Sequence, residues 1–279
     1  MGGHFRAFSF VDRITGLEPG VRIGGQYTVP PAVEAFPNSL VAEAVGQLAA
    51  WAAMAAVGFT HRPVAGIVGR IELISAVRPG QVLELAAELQ SVDTETVGYA
   101  GTAHAEGAPV IRLGDCVGPM VPAEAFDDPQ SLRDRFAQLN ANGSPPGALE
   151  SLPALDLERG VGERGESARA TLRVPAQAPF FADHFPRRPV LPGALLLHAN
   201  LTTAAWLAAE VPAGGGEVWM PRVVSGVKLG TFIPPGETLD LEAKRIECSG
   251  TSLVVAVESR LDRRLVGSAE IQFEGSQKP

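Results

Sequence analysis

The chain repeats itself, and this limits its fold more than any other feature. The stretch FPNSLVAEAVGQLAAWAAMAA, from Phe36, lies beside LPGALLLHANLTTAAWLAAE, from Leu191. Pro37 stands to Trp51 at the same spacing as Pro192 stands to Trp206. A Pro-Gly pair follows each stretch, Pro79-Gly80 in VRPGQVLELAAEL and Pro235-Gly236 in IPPGETLDLEAKR. Pro-Gly presets a turn, and an alternating strand pattern follows each one, Val82–Leu85 and Thr238–Leu241. Both halves close with strand-like runs, VGYAGTAHAEGAPVIRLGDCVG and SLVVAVESRLDRRLVGSAEIQF, turned back at AEGAP and LDRR. Matched spacing at helix and turn argues for an internal repeat over a chance likeness of two Ala-rich helices. Each half therefore reads as a short strand region, one long apolar helix and several antiparallel strands. One apolar helix before a meander predicts a curved sheet wrapped around that helix. The lack of βαβ alternation argues against a doubly wound sheet.

Between the halves the pattern breaks. AFDDPQSLRDRF reads as a short polar helix beginning at Asp128-Pro129-Gln130, and LNANGSPPGALESLPALDLERG reads as a surface connection. The division is 1–125 for the first half, 126–163 for the linker and 164–279 for the second half. Ser39–Phe59 has the length of a membrane span. It carries Glu43 and Gln47, however, and has no flanking Lys/Arg cluster, so a buried core helix is the better reading. The start, Met1-Gly2-Gly3-His4-Phe5-Arg6, lacks the pattern of a signal peptide. A net charge of −8 disfavours a general nucleic-acid surface. The two cysteines, Cys116 and Cys248, have no zinc-type spacing and fit a reducing, cytoplasmic setting.

Five histidines are present: His4, His61, His104, His184 and His198. His4 reads as a solvated terminal side chain, and His61 and His104 as surface or structural residues. No spacing suggests a metal site, a serine-hydrolase elbow or a phosphate loop. What remains is PFFADHFPRRPVLPGALLLHA. Its prolines, Pro186, Pro189 and Pro192, stiffen the approach to a helix. His184 sits among Phe180, Phe181 and Phe185, and apolar packing keeps an imidazole neutral and able to act as a base. Gly193, at the helix start, offers a backbone N–H aligned with the helix dipole to a developing oxyanion. These residues alone leave two readings open, a base-and-oxyanion site or a proline-rich loop with a hydrogen-bonded histidine.

DHFPRRPVLPGALLLHA strongly resembles the signature of bacterial β-hydroxyacyl-acyl-carrier-protein dehydratases. In that signature a histidine precedes Phe-Pro, and Pro-Gly opens the helix. FSFVDRITGLEPGVRI and SLVAEAVGQLAA resemble other parts of the same family, with Glu43 at the catalytic acid position and Gln47 at the helix glutamine. The resemblance covers most of both halves and omits the linker. It implies an α+β double hot dog, two antiparallel sheets each wrapped around one long apolar helix.

Each half departs from the family pattern. In the second, the family's helix carboxylate position is held by His198. In the first, only PPAVEAF separates Val29 from Pro37, too short for the histidine loop. One half has the base without the acid, and the other has the acid without the base. Family sites lie across a dimer interface, so the resemblance implies one composite site, with His184 facing Glu43 across a pseudodimer. His198 would mark a dead second site. The implied reaction is dehydration of a 3-hydroxyacyl thioester in fatty acid or polyketide biosynthesis. His184 would act as base and protonated Glu43 as acid, with Gly193 N–H on the thioester oxygen and Gln47 orienting Glu43. The protein would need no cofactor of its own, because the substrate rides on the phosphopantetheine of an acyl carrier protein. Phe181 and Phe185 are candidates to line the acyl site, and Arg187, Arg188 and Arg222 to meet phosphate or carrier. The resemblance also implies homo-oligomers of double hot dogs. The competing readings are a hot-dog thioesterase, which the DHFP loop argues against, and a non-catalytic acyl-binding or scaffold subunit.

Overall fold

The computed structural model describes residues 4–145 and 153–277. The first half runs β1 (Arg13–Glu18), β2 (Arg22–Thr28), α1 (Asn38–Ala56), β3 (His61–Pro63), β4 (Ile67–Leu73), β5 (Val82–Val92), β6 (Thr96–Ala105) and β7 (Ala108–Pro122). The connecting segment carries α2 (Pro129–Ala141) and β8 (Asp156–Arg159). Part of the expected surface connection, residues 146–152, lies outside the described residues, as do residues 1–3. The second half runs β9 (Ser167–Arg173), α3 (Gly193–Ala208), β10 (Val218–Leu229), β11 (Thr238–Cys248), β12 (Ser252–Leu261) and β13 (Arg264–Ser276).

The repeat becomes a pseudosymmetric sheet. Strand order is β1-β2-β5-β6-β7-β4-β10-β13-β12-β11-β9-β8, with β3 paired to β7 off this path. Read outward from the β4–β10 seam, the two halves carry matching strands in matching order. The seam itself is antiparallel, with Val224 opposite Ile71 and Val227 opposite Val68. The two expected sheets are thus joined edge to edge into one sheet, which removes two exposed strand edges. Helix α1 packs inside the curve of β2, β5 and β6, and α3 inside β9, β11 and β12. The two helices also touch each other. This is the double hot dog implied by the sequence.

Local chemistry accounts for the elements. Gly80 and Gly236 both adopt φ +82 after their prolines, a conformation that glycine takes without Cβ strain. Equivalent hydrogen bonds flank both turns: Gly80 N–H to Val29 O at 2.9 Å and Gly236 N–H to Val174 O at 3.2 Å. The Asp128 carboxylate caps α2 by accepting from Ser131 N–H at 2.9 Å, with Pro129 in the first turn. Among the described residues, α1 is the helix long and apolar enough to cross a membrane. Here it is core, with Val41, Ala44, Val45, Leu48 and Ala52 fully covered.

The sheet approaches α1 closely at glycines. A Cβ on Gly25 would lie 2.6 Å from Leu48 Cδ1 and 2.9 Å from Arg13 O. Gly25→Ala is expected to destabilise the fold by about 1–3 kcal/mol, the usual effect of overpacking. Urea unfolding reads this, and an unchanged midpoint would show that α1 is not held so near.

Candidate active site

The repeat frame shows where the two halves diverge. Val29 and Val174 occupy equivalent places beside the Pro-Gly turns. From there the first half reaches Pro37 directly, whereas the second adds the loop bearing His184 before Pro192. Hydrogen bonds close that loop, from His184 N–H to Phe180 O at 2.9 Å and from Val190 N–H to His184 O at 3.0 Å. Leu191 N–H then bonds Ile233 O at 2.8 Å, which sets the entry to α3.

A cavity of about 190 Å³ lies between the halves. Glu43, Gln47, His184, Phe185 and Gly193 all line it. The five come from both sides of the seam: Glu43 and Gln47 project from α1, and His184, Phe185 and Gly193 come from the loop and first turn of α3. A second cavity of about 140 Å³ abuts it and shares His184, Phe185 and Gly193. The residues that the sequence divides between the two halves therefore line one cavity within one chain.

Gln47 is saturated by hydrogen bonds. Its Nε2 donates to Glu43 Oε1 and to Phe8 O, each at 2.9 Å, and its Oε1 accepts from Phe10 N–H at 2.8 Å. These partners fix which way the amide faces. Among the described residues Glu43 Oε2 has no hydrogen-bond partner, and neither does either imidazole nitrogen of His184. Burial raises the Glu43 pKa above the ordinary carboxylate value, against smaller lowering effects of Gln47 and Arg62. Burial, helped by the Arg62 charge, pushes His184 down to about 3. His184 is consequently neutral near pH 7, and burial biases Glu43 toward its protonated form. Gly193 begins α3, so its N–H has no intrahelical acceptor. A Cβ there would meet Leu229 Cδ1 at 2.6 Å and Ala65 Cβ at 3.2 Å.

The other anticipated contacts spread out. Phe181 is buried against Phe180, with ring centroids 4.5 Å apart, and lines neither cavity. Arg187 is exposed, its Nη1 donating to Glu124 O at 2.7 Å. Arg188 is also exposed and lies over the rings of Phe126 and Phe232, at 5.3 and 4.7 Å. Phe232 lines the second cavity, which puts Arg188 near its rim. Arg222 is on β10 beside Glu274, and lines neither cavity. His198 lines neither cavity, and burial lowers its pKa. Thr202, placed on α3 as Gln47 is on α1, returns its hydroxyl to His198 O at 2.9 Å.

Sequence reasoning missed three cavity residues, Arg62, Asp127 and Asp183. Arg62, on β3, lies 4.0 Å above the Phe185 ring and bonds Asp127 through Nη1 at 3.2 Å. Its Nε is sealed away without a partner. Burial pulls the Arg62 pKa down to about 10, and Asp127 opposes the shift. His4 is not the solvated side chain expected, because its Nε2 reaches the same Asp127 Oδ2 at 3.2 Å. Asp183, beside His184, binds the N-terminal segment. No sequence spacing signals the Arg62–Asp127 pair, since their encounter depends on how β3 meets the start of α2.

Known proteins resemble this chain in sequence over part of its length and in fold over most of it. The profile of the ApeI-like family, described as ApeI dehydratase, matches residues 161–266. Over 121 residues the chain is 31% identical to a 3-hydroxyacyl-[acyl-carrier-protein] dehydratase FabZ of Streptococcus thermophilus, covering 43% of this chain and 86% of that protein. Over 117 residues it is 31% identical to the FabZ of Listeria monocytogenes serotype 4b, covering 42% and 81%. Among solved structures, one described as an oleoyl thioesterase from Lactobacillus plantarum aligns over 92% of this chain and 97% of its own, with TM-score 0.60 and 10% identity. A tesB protein from Mycobacterium avium aligns over 94% and 96%, with TM-score 0.54 and 11% identity. At such identities these two speak for the fold alone.

Proposed function

The chain belongs to the 3-hydroxyacyl-[acyl-carrier-protein] dehydratase family, and from that premise we propose that it removes water from a 3-hydroxyacyl thioester at one composite site. The observation that carries this reading is the meeting of Glu43 and His184 in one cavity. Each half lacks what the other supplies. The division into 1–125 and 164–279 then has a chemical meaning, one unit supplying the acid and the other the base.

On this reading the reaction runs as one elimination. A neutral His184 nitrogen takes the C2 proton of the thioester. The electron pair moves toward the thioester oxygen, where Gly193 N–H and the dipole of α3 meet the developing charge. Neutral Glu43, held through Oε1 by Gln47, gives its proton to the 3-hydroxyl. Water leaves as the C2–C3 double bond forms. Imidazolium and carboxylate are left behind, and one proton passes from the first to the second to reset the site.

On this reading the substrate arrives on a carrier protein's phosphopantetheine, with Arg187 and Arg188 beside the loop as the basic contacts on an otherwise acidic chain. The setting is fatty acid or polyketide assembly in the cytoplasm, and the protein brings no cofactor of its own. Phe185 stands at the shared wall of the two cavities, where the arm would enter.

Mass spectrometry of a 3-hydroxyacyl carrier protein incubated with the protein tests this. The expected product has lost one water and keeps its thioester. Release of free carrier thiol would instead mark a thioesterase. No change over several acyl lengths would leave a non-catalytic acyl-binding subunit. The pH profile is a second check. Because His184 titrates near 3, kcat/KM is expected to hold steady from about pH 7 down to about pH 5. A fall centred near the ordinary histidine value of about 6.5 would rule out a buried neutral base.

A further inference from the structure

A site shared between two halves needs something that sets the distance between them. Reacting groups must sit close to their productive geometry, and a shift of about 1 Å can lower the rate about 10²-fold. Glu43 and His184 stand on different elements of different halves, and neither hydrogen-bonds the other. One segment touches the immediate neighbours of both.

That segment is Phe5–Phe10, ahead of β1. On the second-half side it meets Asp183, the residue before His184, which is 8% exposed. Asp183 Oδ1 accepts from Phe5 N–H. Its Oδ2 accepts from Phe8 N–H at 2.7 Å and from the Ser9 hydroxyl at 3.4 Å. On the first-half side the segment meets Gln47, which bonds Phe8 O and Phe10 N–H as well as Glu43. A continuous run of hydrogen bonds thus leads from Asp183 through Phe8 to Gln47 and Glu43. The Phe8 ring also stands edge-on to the His184 ring, with centroids 5.6 Å apart.

Resting on the reading above, we propose that Asp183 is a positioning residue for the reaction. Its carboxylate locks residues 5–10 as a clasp that holds His184 and Glu43 at their working separation. A carboxylate suits the task because it only accepts, and three donors converge on it. Bonds from backbone N–H to an ionised group are also the stronger kind. Asparagine has the same shape but sets an N–H₂ group against one of those donors. Other charged groups near the clasp are Arg135, which lies over the Phe5 ring, and the Arg62–Asp127–His4 cluster. None of them hydrogen-bonds Asp183.

The test is a double-mutant cycle on kcat with Asp183→Asn, Gln47→Ala and the two combined, beside Glu43→Gln. Asp183→Asn is expected to lower kcat about 10–100-fold with KM within about twofold, the pattern of misplaced catalytic groups. If both residues act through one clasp, the double variant is no slower than the slower single variant. Losses that multiply, or wild-type kcat in folded Asp183→Asn, overturn the proposal. Full activity in Glu43→Gln overturns the dehydratase site itself, a different failure. Hydrogen exchange on the wild-type protein is independent of variant folding. The amides of Phe5 and Phe8 are expected to be protected, and exchange at unstructured-peptide rates would refute the clasp.

Discussion

Mixing a Glu43→Gln chain with a His184→Ala chain restores no dehydratase activity. Each substitution alone is expected to lower turnover by about 10²–10⁴-fold, the usual contribution of a positioned acid or base. Glutamine at 43 keeps an oxygen for the Gln47 amide, so the hydrogen bonds around the acid survive while the transferable proton is gone. In a homodimer with sites across the subunit interface, such a mixture would regenerate intact sites in mixed dimers. Here Glu43 and His184 line one cavity of one chain, and every chain in the mixture carries one defect. Turnover of the mixture, compared with each variant alone after co-refolding, makes the measurement. Recovery would mean that halves pair between chains and would sink the single-chain site.

The largest stability effect belongs to Asp127. This carboxylate is 1% exposed and receives Arg62 and His4 on Oδ2 and the backbone N–H of Asp128 on Oδ1 at 2.7 Å. Asp127→Ala leaves the Arg62 guanidinium enclosed without its counter-charge. Removing one partner of a buried pair costs about 3–5 kcal/mol, because the remaining charge stays desolvated. At roughly 2–4 °C per kcal/mol for a chain of this size class, the melting temperature falls by about 10 °C. The sign of a second substitution discriminates. Arg62→Met placed on Asp127→Ala removes the stranded charge, so the double variant is expected to be more stable than Asp127→Ala. A double variant that is less stable would show that Arg62 stabilises through packing on Phe185, not through its pair with Asp127.

Much of the site could be read from the residues. The DHFP loop before Pro192-Gly193 and the polar pair Glu43/Gln47, one turn apart in a largely apolar helix, both stand out locally. Their chemistry depends on neighbours a few positions away, and chain order preserves that information. The repeat was equally legible, since Pro-Gly turns and helix composition act over short stretches. The helix start after Asp128 was visible for the same reason. Which side chains face the cavity is information of another kind. Arg187 and Arg188, beside the loop in sequence, are exposed outside both cavities, at the surface where a carrier contact would be made. Phe181 is next to Phe180 in sequence and in space, yet it is turned away from the cavity. Nearness along the chain does not say which way a side chain points once a loop has closed.

By itself, the sequence determined two apolar helices each wrapped by antiparallel strands, a histidine loop in one half and a helix glutamate in the other. Helix and turn signals are local, and a missing loop is a matter of length. The tertiary structure alone decided that the sheets join along β4 and β10, that Arg62 meets Asp127, and that residues 5–10 bridge Asp183 to Gln47. Those contacts are hydrogen bonds and charge pairs between residues far apart in the chain. Their partners are chosen by the packing of the two halves, which no stretch of sequence encodes alone.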